Sequence, residues 1–192
     1  MDTTATEEKI ITATVECIEK YGIKGTTIRQ IAETAGVNIA AINYYFRSKD
    51  VLIDRCMKTT LKNAFDWEDI EKLPGGNAIE RCKAVFTDIM KGGLDYPGIS
   101  RAHFYDLLVE GDYESQLVTV LNEFIEKLVI DLKARGSALS EEELYLACIQ
   151  IMNAVMMHVL MPKTFAARFG MDPQDKDTAV EYVNRLVDRL LE

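Results

Sequence analysis

The sequence predicts an all-α fold: a short N-terminal three-helix unit followed by a larger helical domain, about nine helices in all. Three observations carry that expectation. Ala, Leu, Glu and Met are abundant, prolines number four, and alternating β-branched runs are scarce. Apolar residues recur at helical spacing in one segment after another. Capping residues and glycines punctuate those segments. At 192 residues the chain is one or two domains, long enough for a sizeable core.

The elements follow in order. A first helix spans residues 6–21, with Thr4 and Glu7 as a capping box and Gly22 as its stop. Ile28, Ile31 and Ala32 give a second helix an apolar face, and Thr26 or Thr27 caps its start. Gly36 marks the reversal, since glycine tolerates positive φ. Asn38 then caps a third helix in which Ala41, Ile42, Tyr45 and Phe46 fall on adjacent turns. Ser48 caps a fourth helix that runs to Phe65. Residues 73–77, with Pro74, Gly75 and Gly76, are the clearest break. Asn77 and Glu80 open a helix to Met90, and Gly92, Gly93, Pro97 and Gly98 form a second loop. Ser100 starts a short helix ending near Gly111. Leu117, Leu121, Phe124, Leu128 and Leu132 hold the next, which Gly136 closes. Ser140 and Glu143 form a capping box for a helix that Pro162 ends. Asp172 and Pro173 open the last helix. The expected domains are residues 1–50 and 51–192.

Residues 26–49, TTIRQIAETAGVNIAAINYYFRSK, read as two short helices around a tight turn. That is a helix-turn-helix, whose second helix commonly enters the DNA major groove. The run Thr27 to Ala32, then Gly36 and Val37, then Ile42 to Phe46, then Lys49 and Leu52, resembles the DNA-binding domain of TetR-type (TetR/AcrR) transcriptional regulators. The likeness covers roughly residues 8–55. Asn43 departs from the commonest pattern, where the family often has Tyr, and Ile39, Ala40 and Ala41 are apolar or small. Those departures bear on which DNA sequence is read. The resemblance implies a larger helical C-terminal domain that binds a ligand and dimerises. It implies a repressor that a small molecule releases from its operator, through a shift of the fourth helix.

Within the third helix, Ala40 and Ala41 are small enough to bring the backbone close to DNA. Asn43 can pair with adenine N6 and N7. Tyr44 offers a hydroxyl to a phosphate or a ring to a thymine methyl. Tyr45 and Lys49 match family positions that touch phosphates, and Thr27 and Arg29 match those at the start of the preceding helix. Thr26, Asn38 and Ile39 complete the candidate DNA-binding set. Arg29 can equally pair with Glu33 one turn on. Charge supports the reading. Lys20 to Lys62 holds eight basic residues against three acidic ones, a net of +5, in a chain whose total is −9.

Leu144 to Met161 contains no charged residue, the length of a marginal membrane span. Gln150, Asn153 and His158 interrupt it and basic flanks are missing, so a soluble helix covered on two sides is expected. Leu144, Cys148, Ile151 and Val155 would face its own domain. Leu146, Gln150, Ala154, Met157 and Met161 would face a second subunit, with Ala147 and Ala154 permitting close approach. Val180, Val183, Val187 and Leu191 of the last helix would join them in a homodimer.

Phe86, Met90, Phe104, Phe124, Met152 and Met156 are candidates to line an apolar ligand cavity, with His103 as a hydrogen-bonding group. Each is equally a core residue by its spacing. Neither histidine has a neighbour at metal-ligand spacing, so no metal or other cofactor is expected. Cys17, Cys56, Cys82 and Cys148 form no CxxC pair, which fits buried, reduced thiols. The polar, acidic N-terminus MDTTATEEK lacks a signal-peptide core, and a cytoplasmic location is expected. No phosphate loop, nucleophile elbow or Ser–His–Asp pattern appears, so an enzyme is not the expected reading. The alternative to a regulator is an all-helical small-molecule carrier or partner-binding module that keeps the helix-turn-helix as scaffold. DNA and a small-molecule effector are the expected partners.

Overall fold

The structure, a computed structural model, describes residues 3–164 and 175–191. Helices α1 (Thr3–Gly25), α2 (Ile28–Ala35), α3 (Ile39–Phe46), α4 (Lys49–Ala64) and α5 (Trp67–Glu71) come first. They are followed by α6 (Ala78–Asp95), α7 (Pro97–Tyr105), α8 (Gln116–Ala134), α9 (Glu141–Leu160) and α10 (Lys176–Leu191). A π-helical turn, Asp106–Glu110, continues α7, and no strand occurs among the described residues. The all-α class follows, and local chemistry accounts for most boundaries. Thr27 and Gln30 form a full capping box on α2, as do Ser140 and Glu143 on α9. Asn38 caps α3, with its side chain accepting from the Ala41 N–H at 2.7 Å.

Several boundaries differ from the sequence reading. α1 begins at Thr3, ahead of the Thr4 cap, and passes through a kink at Gly22 (φ 69°) to Gly25. Asp66 caps α5, a helix that the periodicity had hidden. Gly92 and Gly93 are not a loop but the last turn of α6. A Cβ on Gly93 would stand 2.7 Å from a Val159 methyl, so this glycine lets α6 lie against α9. Asp172 and Pro173 lie outside the described residues.

The chain divides into two compact units: residues 1–63 with 96–111, and residues 64–95 with 112–192. α4, α7 and the π-turn thus group with the first three helices, along lines other than the 1–50 and 51–192 division. The first unit packs Ile10, Cys17, Ile31, Ile42, Phe46 and Leu52 into one core, with Ile18, Ile53, Cys56 and Ile99 in a second cluster. Glu19 of α1 ties α7 in place: its carboxylate accepts the Gly98 and Ile99 N–H groups at 3.0 and 2.6 Å. Gly98 permits this approach, because a Cβ there would meet the Glu19 backbone at 2.8 Å.

In the second unit α6, α8, α9 and α10 share a core that includes Val85, Phe86, Leu128, Leu144, Ile151, Val155 and Val183. Arg81 is fully buried and ionically paired with Asp131 at 2.7 Å. It also donates to the Leu73 carbonyl, while Arg135 binds Asp131 and the Gly75 carbonyl. Two arginines sharing one carboxylate thereby pin the 73–77 loop. All four cysteines are buried and unbridged. Burial pushes the Cys56 thiol up to about 12. A hydrogen bond to Cys148, together with burial, raises Cys82, so the Cys56 and Cys82 thiols stay protonated.

Candidate functional site

The helix-turn-helix is assembled by three locks. Gly36 takes the left-handed conformation (φ 60°), and the Val37 N–H donates back to the Ala32 carbonyl at 3.0 Å. Ile31, Ala32 and Ala35 of α2 and Ile42 and Phe46 of α3 are buried in the shared core. The Asn38 cap starts α3 at a fixed residue. These anchors turn the other face of α3 outward. Ile39, Ala40, Asn43 and Tyr44 are exposed, Tyr44 to 80%. Ala41 and Tyr45 are half-buried, and the Tyr44 and Tyr45 rings meet edge to face at 5.2 Å. Small, amide and phenolic groups thus occupy one short outward surface.

The remaining candidates divide. Thr27 is exposed and committed to the α2 cap. Asn38 is exposed, with its carbonyl oxygen on the Ala41 N–H. Arg29 is exposed and paired with Glu33 at 3.0 Å, as the spacing allowed. Lys49 is half-buried, and its ammonium donates to the Ile23 carbonyl at 3.2 Å. Thr26 is a correction: it is fully buried, with its hydroxyl on the Gly22 carbonyl at 2.8 Å. It braces the turn after α1 and offers nothing to solvent.

Residues 10–56 match the family described as "Bacterial regulatory proteins, tetR family". The match takes in α2, α3 and the flanking parts of α1 and α4, so the helix-turn-helix region is what this chain shares with that family. The HTH-type transcriptional regulator BetI of Escherichia coli is 34% identical over 96 residues, 49% of this chain and 47% of that protein. The chain therefore spans about half the length of the curated relatives it matches. Across the whole fold it is similar to the fatty acid degradation regulator FadR from Bacillus halodurans. That match has a TM-score of 0.70 at 18% identity and covers 95% of this chain and 94% of the other. A second FadR, from Bacillus subtilis in complex with stearoyl-CoA, matches with TM-score 0.62 at 19% identity, over 96% and 97% of the chains.

The candidate ligand residues fall into two groups. Phe86, Met90, Phe124 and Met152 are buried in the second unit's core, with Met156 packed against them. Phe65 and Trp67 stack edge-on against Phe124 at 5.3 and 6.2 Å. His103 and Phe104 belong to the first unit instead. His103 shares a 2.9 Å hydrogen bond with the Thr60 hydroxyl, joining α7 to α4, and burial lowers its pKa to about 4. A cavity of about 440 Å³ lies elsewhere on the second unit, lined among others by Asn77, Ile79, Lys83, Arg135 and Asp188. Of its charged walls, Lys83 pairs with Asp188 and Arg135 with Asp131, while the Glu80 carboxylate accepts the Gly76 N–H. Among the described residues no group of three or more His, Cys, Asp or Glu could hold a metal ion.

α9 is long and apolar enough to cross a membrane by length and composition. One face, with Leu144, Cys148, Ile151 and Val155, is buried in the unit's core as expected. The other leaves Leu146, Ile149, Met157 and Met161 exposed by 43–56%. The expected subunit face needs correction in detail. Ala147, Val183, Val187 and Leu191 are buried in their own core, whereas Ala154 and Val180 are half-buried. The apolar period of α10 was right and its direction was not.

Proposed function

We propose that this protein is a homodimeric, ligand-responsive DNA-binding regulator of the cytoplasm, a repressor released from its operator by a small molecule. The observation that carries the reading is the anchored α3, which buries Ile42 and Phe46 while it presents Asn43 and Tyr44 outward. In this reading Asn43 reads a base edge, with Ile39, Ala40 and Ala41 giving close approach. Tyr44, Tyr45, Lys49, Thr27, Arg29 and Asn38 hold flanking phosphates. Two copies read half-sites on successive major grooves. The uncovered apolar face of α9 supports the pairing of subunits. The bacterial regulator solved with stearoyl-CoA supports an effector with a long apolar part. Phe86, Met90, Phe124, Met152 and Met156 are the interior such a ligand would part. It acts by binding one conformation of the dimer better than another.

Selection of duplexes from random DNA, followed by titration across salt, tests the reading. Affinity that falls steeply with salt and a two-fold symmetric selected site are expected. No duplex binding at low salt would leave a helical carrier or partner-binding module in its place.

A further inference from the structure

We infer that Arg47 is a DNA contact, its guanidinium binding a backbone phosphate at the C-terminal end of α3. The inference rests on the proposed DNA-binding role and adds to it a residue that helix periodicity does not mark.

The backbone at Arg47 is unusual. The Ser48 N–H donates to the Phe46 carbonyl at 2.6 Å, closing a three-residue turn around Arg47. Arg47 itself has φ 60° and ψ −39°. A γ-turn of this hand is rare and strained. Among the described residues no other non-glycine has a positive φ. Glycine would occupy the position without strain, as it does at Gly36. The chain instead places a long cation there, between a buried Phe46 and the exposed Ser48 that caps α4. Strain of this kind persists where the surrounding structure holds it, and it clusters at functional sites.

The side chain is exposed and unengaged. Most basic neighbours have partners: Lys20 lies over Tyr21, Lys24 binds Tyr105, Arg29 binds Glu33, and Lys58 binds Asp54. Arg47 has no ion pair or side-chain hydrogen bond among the described residues, not even to the last carbonyls of α3. Capping does not account for the guanidinium, because Arg47 caps α3 through its backbone alone. Its N–H donates to the Asn43 carbonyl at 3.0 Å, which sets it one turn beyond the candidate base-reading residue. A guanidinium fork offers two parallel donors to phosphate oxygens. The Arg47 backbone is held between two anchored helices, which fixes where the side chain starts.

The test uses the full chain and the variants Arg47→Gly and Arg47→Lys. Each is titrated across salt against a mixed-sequence duplex and a duplex selected by the wild type. Glycine suits the turn, so Arg47→Gly is expected to keep or raise the unfolding midpoint. It is nevertheless expected to weaken both duplexes by the same factor and lower the salt slope by about one. Arg47→Lys is expected to keep the slope. Should Arg47→Gly lower the midpoint, Arg47→Lys decides: a retained slope supports the contact and a lost one overturns it. Wild-type affinity and slope in Arg47→Gly would overturn the inference, as would a changed base preference at an unchanged slope. A wild type that binds neither duplex at low salt removes the DNA-reading role itself, and the inference with it.

Discussion

α3 and α9 each bury one face and leave another uncovered, and the uncovered faces differ in kind. α3 exposes Asn43 and Tyr44 beside Ala40. α9 exposes Leu146, Ile149, Met157 and Met161. The difference separates two sorts of vacancy. An exposed amide or phenol keeps its hydrogen bonds to water and loses little by waiting for a partner. An exposed run of Leu, Ile and Met leaves favourable burial unclaimed, at about 25 cal/mol per Å² of apolar area. Scattered apolar side chains are ordinary, whereas a patch along one helix marks an interface. The first face suits an intermittent polar partner and the second a standing apolar one.

The largest expected effect comes from charging the apolar face. Met157→Arg leaves the isolated subunit intact, because Met157 is 54% exposed. In a dimer it would bury an unpaired cation, at a cost on the order of 3–5 kcal/mol. That corresponds to at least a hundredfold weaker association, on the scale of about 1.4 kcal/mol per tenfold. Sedimentation checks it: a monomer with wild-type helicity is expected, and an unchanged dimer would move the interface elsewhere.

The next effect belongs to the polar face. Asn43→Ala should cost about 1–3 kcal/mol at one position of each half-site and relax preference there. Selection from random DNA with the variant provides the comparison. An equal loss at every position would assign Asn43 to the helix surface rather than to a base.

These two faces also show what was legible in the sequence. The caps by Thr27, Asn38 and Ser140 and the Gly36 turn were readable because their chemistry lies within a few residues of itself. α3 had one apolar edge, Ile42 and Phe46, so its outward face followed. Long-range pairings left no such trace. Gly93 resembled a loop residue because its reason is Val159 on another helix. α10 has apolar or small residues on two edges, Ala179, Val183 and Val187 on one and Tyr182, Leu186 and Leu190 on the other. Periodicity finds both edges and does not say which meets the core. His103 looked like a pocket residue until its hydrogen bond to Thr60 placed it in the first unit. The γ-turn at Arg47 has no sequence signature, since glycine is absent.

A smaller effect is expected at Lys49, where structure and recognition overlap. Its bond to the Ile23 carbonyl ties the start of α4 to the end of α1. Lys49→Ala should lose about 1 kcal/mol of stability from that bond. If the ammonium also serves a phosphate, the salt slope falls by about one for all sequences alike. Denaturant titration and salt titration separate the two roles. A stability loss with an unchanged slope would make Lys49 a brace of the reading unit only.

The smallest effect tests whether the polar face is really free to change partners. Arg29 and Glu33 form a pair whose side chains are 83% and 65% exposed. Such i,i+4 pairs contribute only about 0.3–0.5 kcal/mol, so Glu33→Ala should barely move the unfolding midpoint. DNA binding responds differently if Arg29 leaves Glu33 for a phosphate. Removing the carboxylate then frees the guanidinium before the encounter and takes a like charge away from the strand. Affinity should rise modestly for every duplex, and most at low salt, where screening is weakest. The double variant Arg29→Ala with Glu33→Ala should lose that gain. Affinity indifferent to Glu33→Ala would mean that Arg29 serves α2 alone, and that the phosphate-binding side of this face begins further along, at α3 and the turn after it.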